Sequence, residues 1–339
     1  MVEAVAITGA GAVTPLGSTP ALWARYRAGE CAAGTLADIP LDALPEVVRT
    51  RAARAERVTR LVLAAGGAAL GAARLAATEG PARPRIGVVL GTAFGCFLTN
   101  AAYQRRLAEG GPAAASPRLF AATVSNAAAG ELGIAYRLGG PAVTLSAGAA
   151  SGLAALGHAA DLLRAGRADA LVAGGADALD GSLLGWLAAS GATPELPPSE
   201  AAACVVLETL ASATARGADI LGTVEGCGSG FEPDGEVGTG LAGAIADALA
   251  EAAVAPSDVR CVVTGSSRAR PVLRSGVLPA VPDRRDTPAR AFGETFGAAG
   301  PLALLAALTE APRGASILVV DVCGSGHVSA LVARRGGSA

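Results

Sequence analysis

Hydrophobic positions along the chain form short uninterrupted runs, which alternate with longer segments whose apolar residues recur about every 3.6 positions. The short runs predict buried strands, and the periodic segments predict helices. In the first half, strands are expected over residues 5–8, 86–90 and 168–175, and helices over residues 51–77 and 97–109. Strands that alternate with helices predict an α/β fold with mostly parallel sheets covered by helices.

The second half of the chain repeats this order of elements. Strands are predicted over residues 218–225, 259–264, 317–321 and 327–333, and helices over residues 241–253 and 301–310. The repetition indicates two halves, residues 1–215 and residues 216–339, which together form one compact unit.

The segment over residues 139–166 is the one around which the other elements are arranged. Val143 and Leu145 are predicted to lie in a buried strand that turns sharply at residues 147–150 into an Ala-rich helix near Ser151. The amino end of a helix favours negative charge, so a turn of this kind is a suitable position for a nucleophile. The residue at the tip is Ala149, and small residues at a tight turn are also typical of close packing between helix and strand.

Composition excludes several classes of chemistry. The chain has 339 residues, of which 51% are hydrophobic and only 3% aromatic, and it has no lysine, which excludes a Schiff-base lysine and a phosphate-loop lysine. A net charge of −2 gives no general attraction to nucleic acid or to an anionic membrane.

Six cysteines without CxxC spacing are expected to be reduced thiols of a cytoplasmic protein. We expect neither a signal peptide nor a membrane span. We also expect no cofactor, and the early Gly9-Ala10-Gly11 lacks the third glycine of a dinucleotide site.

Several motifs occur in the order found in one known family. GTAFG, SPRLF and VSNAAAGEL precede a Gly140-Pro141 strand, and Ser146 and Ser151-Gly152 are in register with the elbow that follows this strand. This order resembles the amino-terminal half of the β-ketoacyl synthases of the thiolase superfamily. The resemblance implies a thiolase-like, five-layered αβαβα fold, and it aligns Ala149 with the cysteine that accepts the acyl chain.

The resemblance also identifies positions where two histidines are expected. The first belongs near residues 263–267, where the sequence VVTGSSRAR has none, and the second aligns with Glu294 in GETFGAAG. With Ala149, this leads to the expectation that the isolated chain is not an enzyme. His158 and His327 are the only histidines of the chain, and His327 lies in GSGHVSALV, which resembles the closing segment of the family. Cys96 and Ser146, considered as substitute nucleophiles, have no base near them in the sequence.

Within the family, loss of this cysteine resembles a chain length factor, the subunit of type II polyketide synthases that pairs with an active ketosynthase. The implied partners are an active ketosynthase subunit, an acyl carrier protein, and a growing acyl chain in a tunnel at the subunit interface. Chain length factors of systems that make aromatic polyketides commonly have glutamine at the tip of the elbow. Alanine at this position therefore favours a polyene-forming system.

The resemblance also indicates which residues contact the acyl chain and the partner. The candidate tunnel residues share one face of the helix after GTAFG, and they are Phe97, Asn100 and Gln104. The candidate interface residues are Thr123, Ser125, Asn126, Val143 and Leu145. A stripe at helical spacing is equally typical of the packed side of a helix.

Two other functions remain open at this point. One is a decarboxylase or thioesterase that acts on acyl-carrier-protein thioesters through Glu294 or Cys96. The other is a homodimer that binds acyl groups without chemistry.

Overall fold

The computed structural model describes residues 3–34, 36–233, 238–274, 276, 281 and 283–337. In chain order the elements of the first half are β1 (Val5–Thr14), β2 (Gly17–Ser18), α1 (Leu22–Arg27), α2 (Glu46–Ala52), α3 (Arg57–Ala72), β3 (Ile86–Gly91), α4 (Phe97–Gly110), α5 (Pro117–Ala121), α6 (Ala127–Ala135), β4 (Ala142–Leu145), α7 (Ser151–Arg164), β5 (Ala170–Asp177), α8 (Gly181–Ala189), β6 (Ala201–Thr209) and α9 (Leu210–Ala215). The second half contains β7 (Gly222–Phe231), α10 (Thr239–Ala252), β8 (Val259–Val263), β9 (Asp283–Arg285), α11 (Thr287–Phe292), α12 (Ala299–Glu310), β10 (Ser316–Val322) and β11 (His327–Arg335).

The strands form a mixed sheet rather than a mostly parallel one. Ten of them follow the order β4-β3-β5-β6-β1-β7-β11-β10-β8-β9, and β2 pairs with β1. This order divides into two runs of five strands, β4-β3-β5-β6-β1 and β7-β11-β10-β8-β9. In each run two neighbouring pairs are parallel (within β4-β3-β5 and within β10-β8-β9) and two are antiparallel (within β5-β6-β1 and within β7-β11-β10). The expectation of mostly parallel sheets is therefore wrong. It failed because β6 and β11 pair antiparallel with the preceding strands β5 and β10, and alternation along the sequence does not reveal strand direction.

Helices cover both faces of each run of strands. Helix α3 packs on β1 and β6, α10 packs on β7 and β11, and α7 and α12 lie between the two runs. One apolar core includes α7 and α12 with strands from both runs, and two further cores lie under α3 and under α10. These layers confirm the predicted αβαβα arrangement. The division at residues 215 and 216 stays a prediction.

Two local predictions differ from the structure. The expected helix over residues 51–77 is two helices, α2 and α3, because the chain leaves the helical path between Ala53 and Glu56. Strand β4 was expected to be buried, yet Val143 and Leu145 are only half-buried, since within the described part of the chain β4 is an edge strand that pairs with β3 alone. By contrast, β5 is buried along its whole length because helices cover both of its faces. Among the described residues, none of the helices has the length and apolar character needed to cross a bilayer.

Candidate active site

The strand-to-helix elbow (residues 142–151) forms as predicted, with β4 leading through a tight turn into α7. Gly148 has φ +58°, a left-handed conformation that glycine adopts without strain. The Ser151 hydroxyl stabilises the turn: it accepts a hydrogen bond from Ala147 N–H (2.7 Å) and lies 2.6 Å from Gly148 O and 3.0 Å from Thr92 O. The tip residue, Ala149, is half-buried and offers a methyl group in place of a nucleophile.

A buried carboxylate holds the loops around the elbow together. Asp177, at the end of β5, accepts hydrogen bonds from Thr92 Oγ1 (2.7 Å), from the N–H groups of residues 93 and 94 (2.9 Å each) and from Gly297 N–H (2.8 Å). Burial raises the pKa of Asp177, although these four donors oppose that shift. Asp177 therefore joins the GTAFG loop of the first half to the glycine loop (residues 293–300) of the second.

Glu294, the residue that the resemblance aligns with the second histidine, also joins two loops through hydrogen bonds. Its side chain is 3% exposed, and it accepts hydrogen bonds from Ser267 N–H (2.7 Å) and Phe296 N–H (3.1 Å). Burial raises the pKa of Glu294, against these hydrogen bonds. The carboxyl group thus connects the two segments in which the resemblance places the two histidines.

The segment expected to carry the first histidine follows β8. Thr264 is fully buried, and its hydroxyl has no hydrogen-bond partner among the described residues. Ser266 donates a hydrogen bond to Asp321, which is also fully buried, and burial raises the pKa of Asp321 well above its usual range. Among the described residues, no cluster of histidine, cysteine and carboxylate side chains has the arrangement of a metal site.

A thiol that the sequence analysis did not select lies against the elbow. Cys323 belongs to the closing hairpin, which consists of β10, the turn at residues 323–326 and β11, and its side chain is 9% exposed. A Cβ atom built on Gly148 would lie only 1.9 Å from Cys323 Sγ, so the thiol touches the elbow backbone. Cys323 Sγ lies 3.2 Å from Ser325 Oγ, which lies 3.2 Å from His327 Nδ1. The sequence signal for this group is CGSGH between two predicted strands.

An aromatic cluster stands on the α4 side of the site. Phe97 contacts Trp186 of α8 with ring centroids 5.8 Å apart, and Phe94 contacts both Trp186 and Phe296. Asn100, one turn along α4, donates from Nδ2 to Cys96 Sγ (3.0 Å) and to Thr123 O (3.2 Å). Gln104, a further turn away, is exposed. The structure therefore brings Phe97 to the aromatic cluster and Asn100 to the neighbouring loop, while Gln104 lies beyond both.

The predicted interface loop lies beside α4 and carries exposed apolar side chains. Ser125 and Asn126 are exposed, and Thr123 is half-buried with its hydroxyl donating to Phe120 O (2.7 Å). Val124, in the same loop, is 52% exposed, and Phe120, in the preceding helix α5, is 62% exposed.

The remaining nucleophile and histidine candidates do not form a catalytic pair. Cys96 Sγ lies 2.7 Å from Thr123 O and 3.9 Å from Ser125 Oγ, and neither of these oxygens is a base. Ser146 is exposed, and His158 is half-buried on α7.

Comparison with known proteins identifies the family. The profile of the β-ketoacyl synthase amino-terminal domain matches residues 41–195. Nodulation protein E of Rhizobium leguminosarum bv. trifolii is 30% identical over 288 residues, which are 75% of this chain and 71% of the relative. The chain belongs to the β-ketoacyl synthase family of the thiolase superfamily.

Among solved structures, the ishigamide ketosynthase/chain length factor is similar in fold, with a TM-score of 0.79 and 26% identity over 98% of this chain and all of that one. The 3-oxoacyl-[acyl-carrier-protein] synthase 2 of Vibrio harveyi is 31% identical over 190 residues, which are 51% of this chain and 45% of that protein. Nodulation protein E of Rhizobium meliloti is matched over 62% of its length. The chain thus spans less than two thirds of the length of these two relatives.

The comparisons correct one expectation. The prediction that the isolated chain is not an enzyme is wrong, since relatives of this chain are named 3-oxoacyl-[acyl-carrier-protein] synthases, which are enzymes. The prediction rested on three family positions alone.

Proposed function

We propose that this chain is a subunit of a two-subunit β-ketoacyl synthase of a type II polyketide pathway and acts there as a chain length factor. The observation that carries the proposal is an elbow that keeps its close-packed frame while Ala149 occupies the tip. Gly152 of α7 lies so close to the glycine loop that a Cβ atom on it would be 2.0 Å from Gly297 O. In the proposed assembly the growing chain is attached to the elbow cysteine of the partner.

The partner surface proposed here is continuous with β4. Among the described strands none pairs with the outer side of this edge strand, and Val143 and Leu145 are half-buried on it. Nearby loops and helices expose Phe120, Val124 and Ile134 to the extent of 62%, 52% and 55%. An unpaired strand edge and large exposed apolar side chains favour a protein partner. Thr123, Ser125 and Asn126 lie in the same region and complete the proposed interface.

The proposed length-determining surface is the face of α4 that carries Phe97, Asn100 and Gln104. An apolar tunnel stabilises an acyl chain by about 0.8 kcal/mol for each CH₂ group it buries. Elongation stops being favourable when a side chain blocks further burial. Phe97 is a suitable block because Trp186 packs against its ring at 5.8 Å and limits its movement. A polyene product and delivery of extender units by an acyl carrier protein belong to this proposal.

The test is co-expression with a ketosynthase encoded beside this chain, followed by elongation from malonyl-acyl carrier protein and mass spectrometry of the products. We expect a 1:1 complex, and we expect Phe97→Ala and Gln104→Ala to give longer products. Arg106→Ala is the matched control, because Arg106 is exposed and lies roughly 180° around α4 from Phe97. Failure to form a complex, or unchanged product length in both test variants, would remove the proposal.

A further inference from the structure

We propose that Cys323 is an acyl-accepting thiol, with His327 as its base and Ser325 as the proton relay between them. None of these residues lies at a position that the family resemblance assigns to catalysis. The inference rests on the proposed function for one point only, the class of electrophile, which is an acyl thioester. It does not depend on a partner subunit.

The hairpin itself brings the three groups together. Gly326 N–H donates to Cys323 O (3.0 Å), and Cys323 N–H donates to His327 O (2.8 Å), so the turn is tight and Cys323 is the cross-strand neighbour of His327. Ser325 at the turn places its hydroxyl 3.2 Å from the thiol and 3.2 Å from Nδ1 of the imidazole. Phe231 of β7 packs edge-on against the imidazole, with ring centroids 5.4 Å apart, and limits its rotation.

The hairpin presents this thiol to the elbow, where a nucleophile of this family is expected. Cys323 Sγ touches Gly148, one residue before the tip, and only a glycine leaves room for it there. Helix α7 begins at Ser151 with no side-chain capping bond; Ser151 N–H donates to Gly148 O (3.1 Å), and the positive dipole end of the helix lies at the turn. Such a helix start stabilises an oxyanion formed beside it.

Solvent access and a base are found on the same side of the Cys323 thiol. Cys323 is 9% exposed, whereas Ser325 and His327 are exposed, so solvent reaches the imidazole directly. The other cysteine near the site, Cys96, is surrounded by Asn100, Thr123 and Ser125, none of which can take a proton at neutral pH. Nucleophilic thiols of enzymes are paired with a base that is itself oriented by other groups, and in this chain Cys323 meets that description.

The proposed step is a transthioesterification, and it is balanced in atoms and electrons. The Cys323 thiol gives its proton to Ser325 Oγ while the Ser325 hydroxyl proton passes to His327 Nδ1. The sulfur forms a bond to the thioester carbonyl carbon, and the bond between that carbon and the donor sulfur breaks. The donor thiolate leaves with the proton returned from the imidazolium, so the products are the acyl-Cys323 thioester and a free thiol.

The test uses the full chain and octanoyl-coenzyme A, with intact-protein mass spectrometry and peptide mapping. We expect one octanoyl group on Cys323 in the unmodified protein, loss of that group in Cys323→Ser, and retention in the control variants Cys96→Ala and Cys31→Ala. Peptide mapping of the unmodified protein requires no substitution, so a folding defect cannot obscure the result. General bases contribute about 10²–10⁴-fold to such steps, so His327→Gln should slow acylation by at least tenfold.

The role of Ser325 as a proton relay can be measured separately. Ser325→Ala should slow acylation and flatten its dependence on pH, and Ser325→Thr, which keeps the hydroxyl, should restore both. Absence of acyl-Cys323, or an unchanged rate in His327→Gln, would overturn the proposal. These outcomes are independent of subunit pairing and product length, which test the proposed function.

Discussion

Two glycines of α7 provide a direct test of how closely the elbow is packed. Gly152 and Gly157 are both buried in the same helix, yet they face different neighbours. A Cβ atom on Gly152 would lie 2.0 Å from Gly297 O and 2.7 Å from Pro301 Cδ, whereas a Cβ atom on Gly157 would lie 3.3 Å from Cys227 Cβ. Gly152 lies in the first turn of α7 and Gly157 in its interior, so the two Gly→Ala variants differ mainly in contacts and, by a smaller amount, in helix propensity.

The expected magnitudes follow from these contacts. Alanine in place of glycine stabilises a helix interior by about 0.8–1 kcal/mol, which applies in full to Gly157→Ala and only in part to Gly152→Ala, in the first turn. For Gly157→Ala the tight contact with Cys227 offsets part of this gain, so the free energy of unfolding should stay within about 1 kcal/mol of the unmodified protein. For Gly152→Ala the Gly297 peptide has to move, which costs about 1–3 kcal/mol in overpacking and about 1–3 kcal/mol for weakening the hydrogen bond from Gly297 N–H to the buried Asp177. The net expectation is a loss of about 3 kcal/mol.

The measurement is denaturation by guanidinium chloride, followed by far-ultraviolet circular dichroism and by tryptophan fluorescence in parallel. Coincident transitions from the two probes would justify a single free energy of unfolding. We expect a clearly lower midpoint for Gly152→Ala and a nearly unchanged midpoint for Gly157→Ala. Equal midpoints, or a more stable Gly152→Ala, would refute the inference that α7 and the glycine loop are in backbone contact.

Two further predictions concern the buried charges. Burial raises the pKa of Asp321 in the folded state. In the unfolded state the pKa of an aspartate is about 3.9, so above that pH the folded protein holds a proton that the unfolded chain has released. The free energy of unfolding therefore falls as the pH rises from about 3.9 towards the pKa of the folded state. In Asp321→Asn this fall, which is at most about 1.4 kcal/mol per pH unit, should disappear, so the curve of unfolding free energy against pH should be flatter. An unchanged slope would contradict a raised pKa of Asp321. Arg57 pairs with Glu200, which is fully buried, at 2.8 Å from Nε to Oε2, so Arg57→Ala should cost about 3 kcal/mol in a denaturation experiment. The control Arg85→Ala removes the exposed pair with Asp169 and should cost less than about 1 kcal/mol, and similar costs for the two variants would argue against burial as the cause.

The parts of the fold that depend on local pattern were predictable. The buried run that became β5 and the start of α7 near Ser151 follow from hydrophobic runs and small residues that are contiguous in the chain. The break between α2 and α3 was missed because apolar periodicity continues across it. The directions of β6 and β11, and hence the mixed sheet, are set by their pairing with β5 and β10, which the order of elements along the sequence does not reveal.

The candidate site divides in the same way. The predicted alignment of Ala149 with the family cysteine and of Glu294 with a histidine comes from motifs, because each motif is continuous in the sequence. The contact between Cys323 and Gly148 could not be predicted from a motif, since the two residues are 175 positions apart (323 minus 148) and meet only when the closing hairpin packs on the elbow. The same holds for the hydrogen bond between Glu294 and Ser267, which joins two separate loops.

The sequence by itself therefore determined the alternation of strands and helices, the elbow and, through its motifs, the family whose layered fold the chain resembles. Periodicity and contiguous motifs report on interactions between near neighbours in the chain. Only the tertiary structure decided that β4 is a half-exposed edge, and that a thiol, a hydroxyl and an imidazole stand beside an alanine tip. Exposure and proximity between distant segments arise from the packing of whole layers, and no local pattern of side chains encodes them.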